Sequence, residues 1–185
     1  MSRHNWIIGA RPAWPQSGLA VRAPGNTLGV LALLLCLVAI SLVGCATFEI
    51  ETPDEMVAVE ESNREYVAMT HDGVVLRVLV HSQGEGVNDV PRAGHDFWVE
   101  SVRERMRTRG GYALLEEREV QSVDGHRGTR MEFGRDQDGV PYQYWMVLFV
   151  TEDNIHVIDA GGRQDRLEGA RDALERALSS YEVKR

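Results

Sequence analysis

Cysteine is almost missing from this sequence. Only Cys36 and Cys45 occur, and none follows residue 45. A domain built from the rest of the chain therefore has no disulfide, no thiol nucleophile and no cysteine-type zinc site. The hydrolase signatures Gly-x-Ser-x-Gly and Ser-x-x-Lys are absent, and so is a His-x-x-x-His pair. There is no internal repeat and no low-complexity run. No apolar stretch reaches the ~20 residues that a helix needs to cross ~30 Å of hydrocarbon. With 43% apolar and 26% charged residues, the chain is neither a disordered tail nor a polytopic membrane protein.

Acidic residues are missing from one region only. Residues 1–44 hold Arg3, Arg11 and Arg22 but no Asp or Glu, and sixteen uncharged residues run from Leu28 to Val43. A positive segment before a short apolar one is the layout of a secretory signal. It ends in Leu42-Val43-Gly44-Cys45. That tetrapeptide resembles the lipobox of bacterial lipoproteins. The resemblance implies that the Cys45 thiol receives a diacylglyceryl group and that signal peptidase II cuts between Gly44 and Cys45. Small residues at 43 and 44 suit a protease groove, and cysteine supplies the thiolate. Two or three acyl chains, at ~0.8 kcal/mol per buried methylene, would hold the protein on a bilayer. The other reading is an uncleaved helix that ends at Cys45 by accident. The long leader, with Trp6, Trp14, Pro12 and Pro15, is either extended or begins at a misassigned start. If the host is Gram-negative, Ala46 after the cysteine resembles signals passed on to the outer membrane.

Loss of residues 1–44 would remove three basic residues and no acidic one, taking the formal charge from −8 to −11. Such a surface repels nucleic acid and anionic head groups, so the fatty chains would have to supply the attachment. The expected organisation is a signal peptide over 1–44, a short tether over 45–53 and one globular domain over 54–183.

Within that domain, Tyr66–Thr70 and Val74–His81 flank His71-Asp72-Gly73 as a hairpin. Ser82–Gly94 is a glycine-rich loop. His95–Arg109 reads as a helix with Trp98, Val102 and Met106 at i+4 spacing, ended by Gly110-Gly111. Strands follow over Tyr112–Val120, His126–Phe133, Tyr142–Val150 and Ile155–Ala160, then a helix from Gln164 to Tyr181 carrying Leu167, Ala170, Leu174, Leu178 and Tyr181. In Tyr142–Val150 both faces are apolar, which requires cover on both sides. The fold class expected is α+β: a single α/β/α sandwich, with a mainly antiparallel sheet and two packing helices.

The stretches Asp72-Gly-Val-Val-Leu-Arg-Val, Gly110-Gly-Tyr-Ala-Leu-Leu, Asp124-Gly-His-Arg-Gly-Thr-Arg-Met-Glu-Phe and Ile155-His-Val-Ile-Asp-Ala-Gly-Gly162 carry a further likeness. In this order they resemble the PsbP-like superfamily over about residues 55–183. That resemblance implies a sheet-rich accessory or binding domain rather than an enzyme, although fold does not transfer function.

Asp136-Gln-Asp138-Gly139 begins like a calcium loop, but its twelfth position is Val147 instead of the required glutamate, so a hairpin turn is expected. His71, His81, His95, His126 and His156 form no ligand pattern. Ser101 and Ser122 sit in ordinary helix and turn contexts, and Glu116, Glu117 and Glu119 read as a solvated strand cluster. Asp159-Ala-Gly161-Gly162 reads as a strand-to-helix connection, and the aromatics Trp98, Tyr112, Tyr142, Tyr144, Trp145 and Phe149 as core. No catalytic residue, metal or cofactor is therefore expected. The function expected is a membrane-tethered, non-catalytic binding or accessory module for a protein or envelope component, placed in the bacterial cell envelope. The alternatives are an envelope hydrolase or metalloenzyme with a converging site, and a purely structural lipoprotein. The contact surface expected is the Ser82–Gly94 loop together with the turn Gly134–Pro141.

Overall fold

A computed structural model describes residues 46–86 and 89–184. The signal segment, the lipobox with Gly44 and Cys45, and two residues inside the Ser82–Gly94 loop lie outside the described residues. Among the described residues nine strands and three helices follow one another: β1 (Phe48–Glu49), β2 (Met56–Glu61), β3 (Glu65–Thr70), β4 (Val75–Ser82), α1 (His95–Thr108), β5 (Ala113–Gln121), β6 (Arg127–Gln137), β7 (Val140–Val150), β8 (Asn154–Arg163), α2 (Gln164–Gly169), α3 (Arg171–Ser179) and β9 (Glu182–Val183). Seven strands form one sheet in the order β2-β3-β4-β8-β7-β6-β5, and every neighbouring pair is antiparallel.

The two apolar faces of β7 organise the whole domain. Trp145, Val147 and Phe149 join Leu76, Val78, Ile158 and Ala160 in a cluster closed by Leu167, Leu174, Ala177 and Tyr181. Leu148 on the other face packs with Met131 and Phe133 against Val99, flanked by Val102 and Met106. Helices α2 and α3 thus cover one side and α1 the other, which is the α+β sandwich that the alternation in β7 requires. Turn chemistry agrees with the sequence: Asp138 (φ 52) and Gly139 (φ 77) form the β6–β7 hairpin in the left-handed conformation such turns demand.

Four expectations need correction. Within the expected tether 45–53, the described residues 46–53 do not run free: Phe48 is only 7% exposed, pairs with Val183 across β1–β9 and stacks on Tyr181 at 5.9 Å. The folded unit therefore begins before residue 54, because one aromatic there buries more apolar surface than a tether could leave in water. The C-terminal helix is two helices. The chain turns at Ala170 (φ −93, ψ 0), beside Gly169, a residue that weakens a helix by about 1 kcal/mol relative to alanine. The break lets Leu167 and Leu174 both reach the sheet, and Tyr181 lies beyond the helix end. Among the aromatics expected as core, Trp145 and Phe149 are buried, whereas Trp98, Tyr112, Tyr142 and Tyr144 are half-buried. Finally, Gly134–Pro141 is mostly strand, with only Asp138 and Gly139 in the turn. Strand β2, which has no alternating pattern, escaped the sequence reading altogether.

Candidate binding site

The loop expected to bind is pinned at its base by one side chain. Gln83 is 5% exposed, and its amide donates to the Thr151 carbonyl at 2.8 Å. Its carbonyl accepts from the Ala93 backbone at 3.0 Å and from the Trp98 indole at 3.1 Å. Arg92 adds a bond to the Glu152 carbonyl at 3.0 Å. One glutamine thus satisfies three polar groups in a buried place where leaving any unpaired would be costly. The β6–β7 turn lies elsewhere. Strand β7 begins at that turn and ends beside Thr151, so about 30 Å of strand separates the turn from the loop. The two segments expected to share one surface stand at opposite ends of the sheet.

A cleft of about 630 Å³ opens between the first half of α1 and strands β5 and β6. It brings His95 together with Asp96, Glu100, Glu117 and Glu119. His95 Nε2 lies 3.2 Å from Thr129 Oγ1, and its Nδ1 lies 3.3 Å from Asp96. The order carboxylate, imidazole, hydroxyl is that of a nucleophile relay, but Thr129 is only 6% exposed and Asp96 projects into water. The contact acts as a clasp between helix and sheet. The carboxylates are engaged by arginines: Glu117 holds Arg103 at 2.7 and 3.0 Å, and Glu119 holds Arg127 at 2.7 Å. Among the described residues, no three His, Asp or Glu side chains gather as metal ligands would.

Arg130 carries a second set of charges. It is 2% exposed, chelated by Glu175 with both oxygens at 2.8 Å and bridged to Glu132 at 2.8 Å. Its guanidinium lies 4.0 Å over the Trp145 ring, with Arg171 at 4.8 Å from the same ring. Paired on this scale, the cluster anchors α3 to β6 and leaves no charge free for a ligand.

The feature that remains open is a sheet face. Helix α1 rests on β5, β6 and β7, and Val157 of β8 still packs against its cluster; the same side of β4, β3 and β2 lies beyond that helix. Strand register puts Val57, Met69 and Val75 in one row there, Glu60, Val67, Arg77 and Asp159 in the next, and Glu65, Leu79 and Val157 in a third. Val57 is 66% exposed and Met69 39%; Val67, Val75, Leu79 and Val157 are half-buried. In the middle, Arg77 grips Asp159 through two bonds of 2.9 and 3.1 Å, and Tyr144 donates to the other carboxylate oxygen at 2.7 Å. Burial first, then the Asp159 charge, pushes the Tyr144 hydroxyl well above the ordinary tyrosine value. Gly161 makes this reach possible: a Cβ there would fall 2.2 Å from the Tyr144 ring. The sequence reading noted Asp159 and Tyr144 separately and passed over Arg77. Only the pairing of β4 with β8, 82 residues apart in sequence, joins them.

The histidines have separate fates. His71 and His81 are exposed, and His126 is paired with Asp124 in a turn. His156 is fully buried, 2.8 Å from the Tyr181 hydroxyl, and burial lowers its pKa to about 4.

Comparison by sequence finds no family model and no curated protein that matches the chain. Comparison of folds does find similar structures. The domain is similar to LpqN of Mycobacterium tuberculosis, described as involved in cell envelope biogenesis: TM-score 0.58, 9% identity, covering 75% of this chain and 83% of that one. At that identity the likeness shows a shared fold and nothing more. The cyanobacterial PsbP protein CyanoP, from Synechocystis sp. PCC 6803, aligns with TM-score 0.48 and 14% identity over 77% of this chain and 95% of its own.

Proposed function

We propose that this chain is an envelope lipoprotein, anchored through acyl chains on Cys45, whose domain is a non-catalytic binding or accessory module. The observation that carries the binding role is the open face of β2, β3, β4 and β8, where apolar side chains surround a fully satisfied Arg77–Asp159–Tyr144 network. A monomeric sheet usually buries such a face, and one left in water marks an interaction site. The partner would be a protein or another envelope component that meets an aliphatic patch bordered by Glu60 and Glu65 around the Arg77–Asp159 anchor. The shared fold with a protein involved in cell envelope biogenesis supports the location, and the PsbP-like resemblance supports an accessory role.

The anchor constrains the geometry. Cys45 and Phe48 are three residues apart, at most about 10 Å of extended chain, and Phe48 is fixed in the core. The domain would therefore sit against the bilayer by its β1–β9 end, leaving its open face lateral and accessible.

Two measurements test this reading. Palmitate labelling should mark the wild type and not Cys45→Ser; equal labelling, or none in either, removes the anchor. Crosslinking in native membranes should capture a reproducible partner that Val57→Lys and Met69→Lys lose, both positions being exposed enough to tolerate charge. Capture that survives both substitutions places binding elsewhere.

A further inference from the structure

Strand β5 ends the seven-stranded sheet, and its outer edge has no strand partner among the described residues. It is nine residues long and exposed throughout except for half-buried Val120. Past a bulge between Leu114 and Glu116 it keeps a regular ladder to Gln121, so its free N–H and C=O groups form a straight row. Such a row is a template for another strand unless charge or distortion blocks it.

The charges on β5 sort by face. Glu116 and Arg118 lie on the α3 side, and Glu117 and Glu119 on the α1 side. Arg118 is held only loosely, 3.7 Å from Glu116 and 3.8 Å from Glu175. Glu117 is held by a two-pronged contact with Arg103, which also bridges Glu100.

The geometry points to a second copy of this chain as the occupant: two β5 strands paired antiparallel about a two-fold axis through Glu117. An axis perpendicular to the sheet keeps the faces in register, as a symmetric interface requires. Glu116 then stands opposite Arg118 of the second copy, and Arg118 opposite the second Glu116. Exposed Leu114 and Leu115 meet the end of the other strand that carries Val120. Glu117 faces its own counterpart, with each charge held by its own Arg103. Moving the axis by one residue would set Arg118 against Arg118, or Glu116 against Glu116, and would lose both opposite-charge pairs. Charge therefore selects one register. The other free edge, β2, carries Glu60 and Glu61 after a bulge and has no cation to answer them.

The test uses the full chain, purified in detergent. Residues directly opposite in an antiparallel pair have Cα atoms roughly 4.5–5.5 Å apart, within disulfide reach. Glu117→Cys should form a 117–117 disulfide between copies under mild oxidation, mapped by mass spectrometry. Glu116→Cys should not self-link, because its counterpart is displaced by two residues along the strand. By light scattering the wild type should have twice the chain mass and Arg118→Glu the mass of one chain, and Glu116→Arg with Arg118→Glu should recover the dimer. A wild type that stays monomeric, or a dimer indifferent to Arg118→Glu and without the 117–117 link, overturns the proposal. Thermal melts of each variant separate lost pairing from lost folding, and the Glu117→Cys link decides the question if Arg118→Glu does not fold.

Discussion

The imidazole of His156 and the hydroxyl of Tyr181 lie 2.8 Å apart with no solvent access to either residue. Phe149 and Phe48 stack on the same tyrosine ring, at 5.5 and 5.9 Å. One polar pair is thus enclosed where the chain's first and last strands close the core, and charging it would be costly.

Acid should therefore weaken the fold through His156. Burial lowers its pKa to about 4, against an ordinary value near 6.5. The unfolded chain binds the proton more readily, so stability is full above about pH 6.5 and falls as pH drops toward 4. Full loss amounts to about 3 kcal/mol. Denaturant melts across this range should show the slope in the wild type and a shallower one in His156→Gln, which removes the titration. Identical slopes would assign the acid sensitivity to other groups.

Phe48→Ala tests whether the stretch after Cys45 belongs to the core. Truncating a buried phenylalanine costs about 3–5 kcal/mol, whereas truncating a tether residue costs nearly nothing. Equilibrium unfolding of the variant should show the large loss. A change within roughly half a kcal/mol would return residues 45–53 to the tether.

Leu174 is fully buried beneath α3, and Leu115 is 63% exposed on β5. Leu174→Ala should lose about 2–5 kcal/mol, and Leu115→Ala should stay within roughly half a kcal/mol. Comparable losses would mean that α3 does not seal the sheet as described.

Gly161→Ala should displace the Tyr144 ring and break its bond to Asp159, since the added carbon would lie 2.2 Å from the ring. Overpacking of this kind costs about 1–3 kcal/mol. Combined with Tyr144→Ala, it should cost clearly less than the sum of the two single changes, because the clash is gone. Additive losses would show that the two residues do not interact.

Much of the scaffold was legible because it rests on local rules. Apolar residues on both faces of Tyr142–Val150 require two covering layers, Asp138-Gly139 requires a hairpin, and Gly110-Gly111 ends a helix, whatever the rest of the chain does. The short edge pieces were not legible. Phe48–Glu49 and Glu182–Val183 are each too brief to show a period, and they exist only because they pair with each other across the length of the domain. The helix break at Ala170 likewise depends on where the sheet places the receiving surface for Leu167 and Leu174.

The binding surface divides the same way. Sequence by itself determined the missing cysteine chemistry, the acidic balance, the lipobox pattern and the two-faced central strand, all of which are properties of composition or of neighbours along the chain. Tertiary structure alone decided that the Ser82–Gly94 loop and the Asp138-Gly139 turn stand at opposite ends of the sheet. It also decided that Arg77, Asp159 and Tyr144 meet on one sheet face, and that β2 and β5 are the two edge strands. Strand order is set by which hydrophobic faces can be buried together, and no local pattern encodes which pair of strands is left without a neighbour.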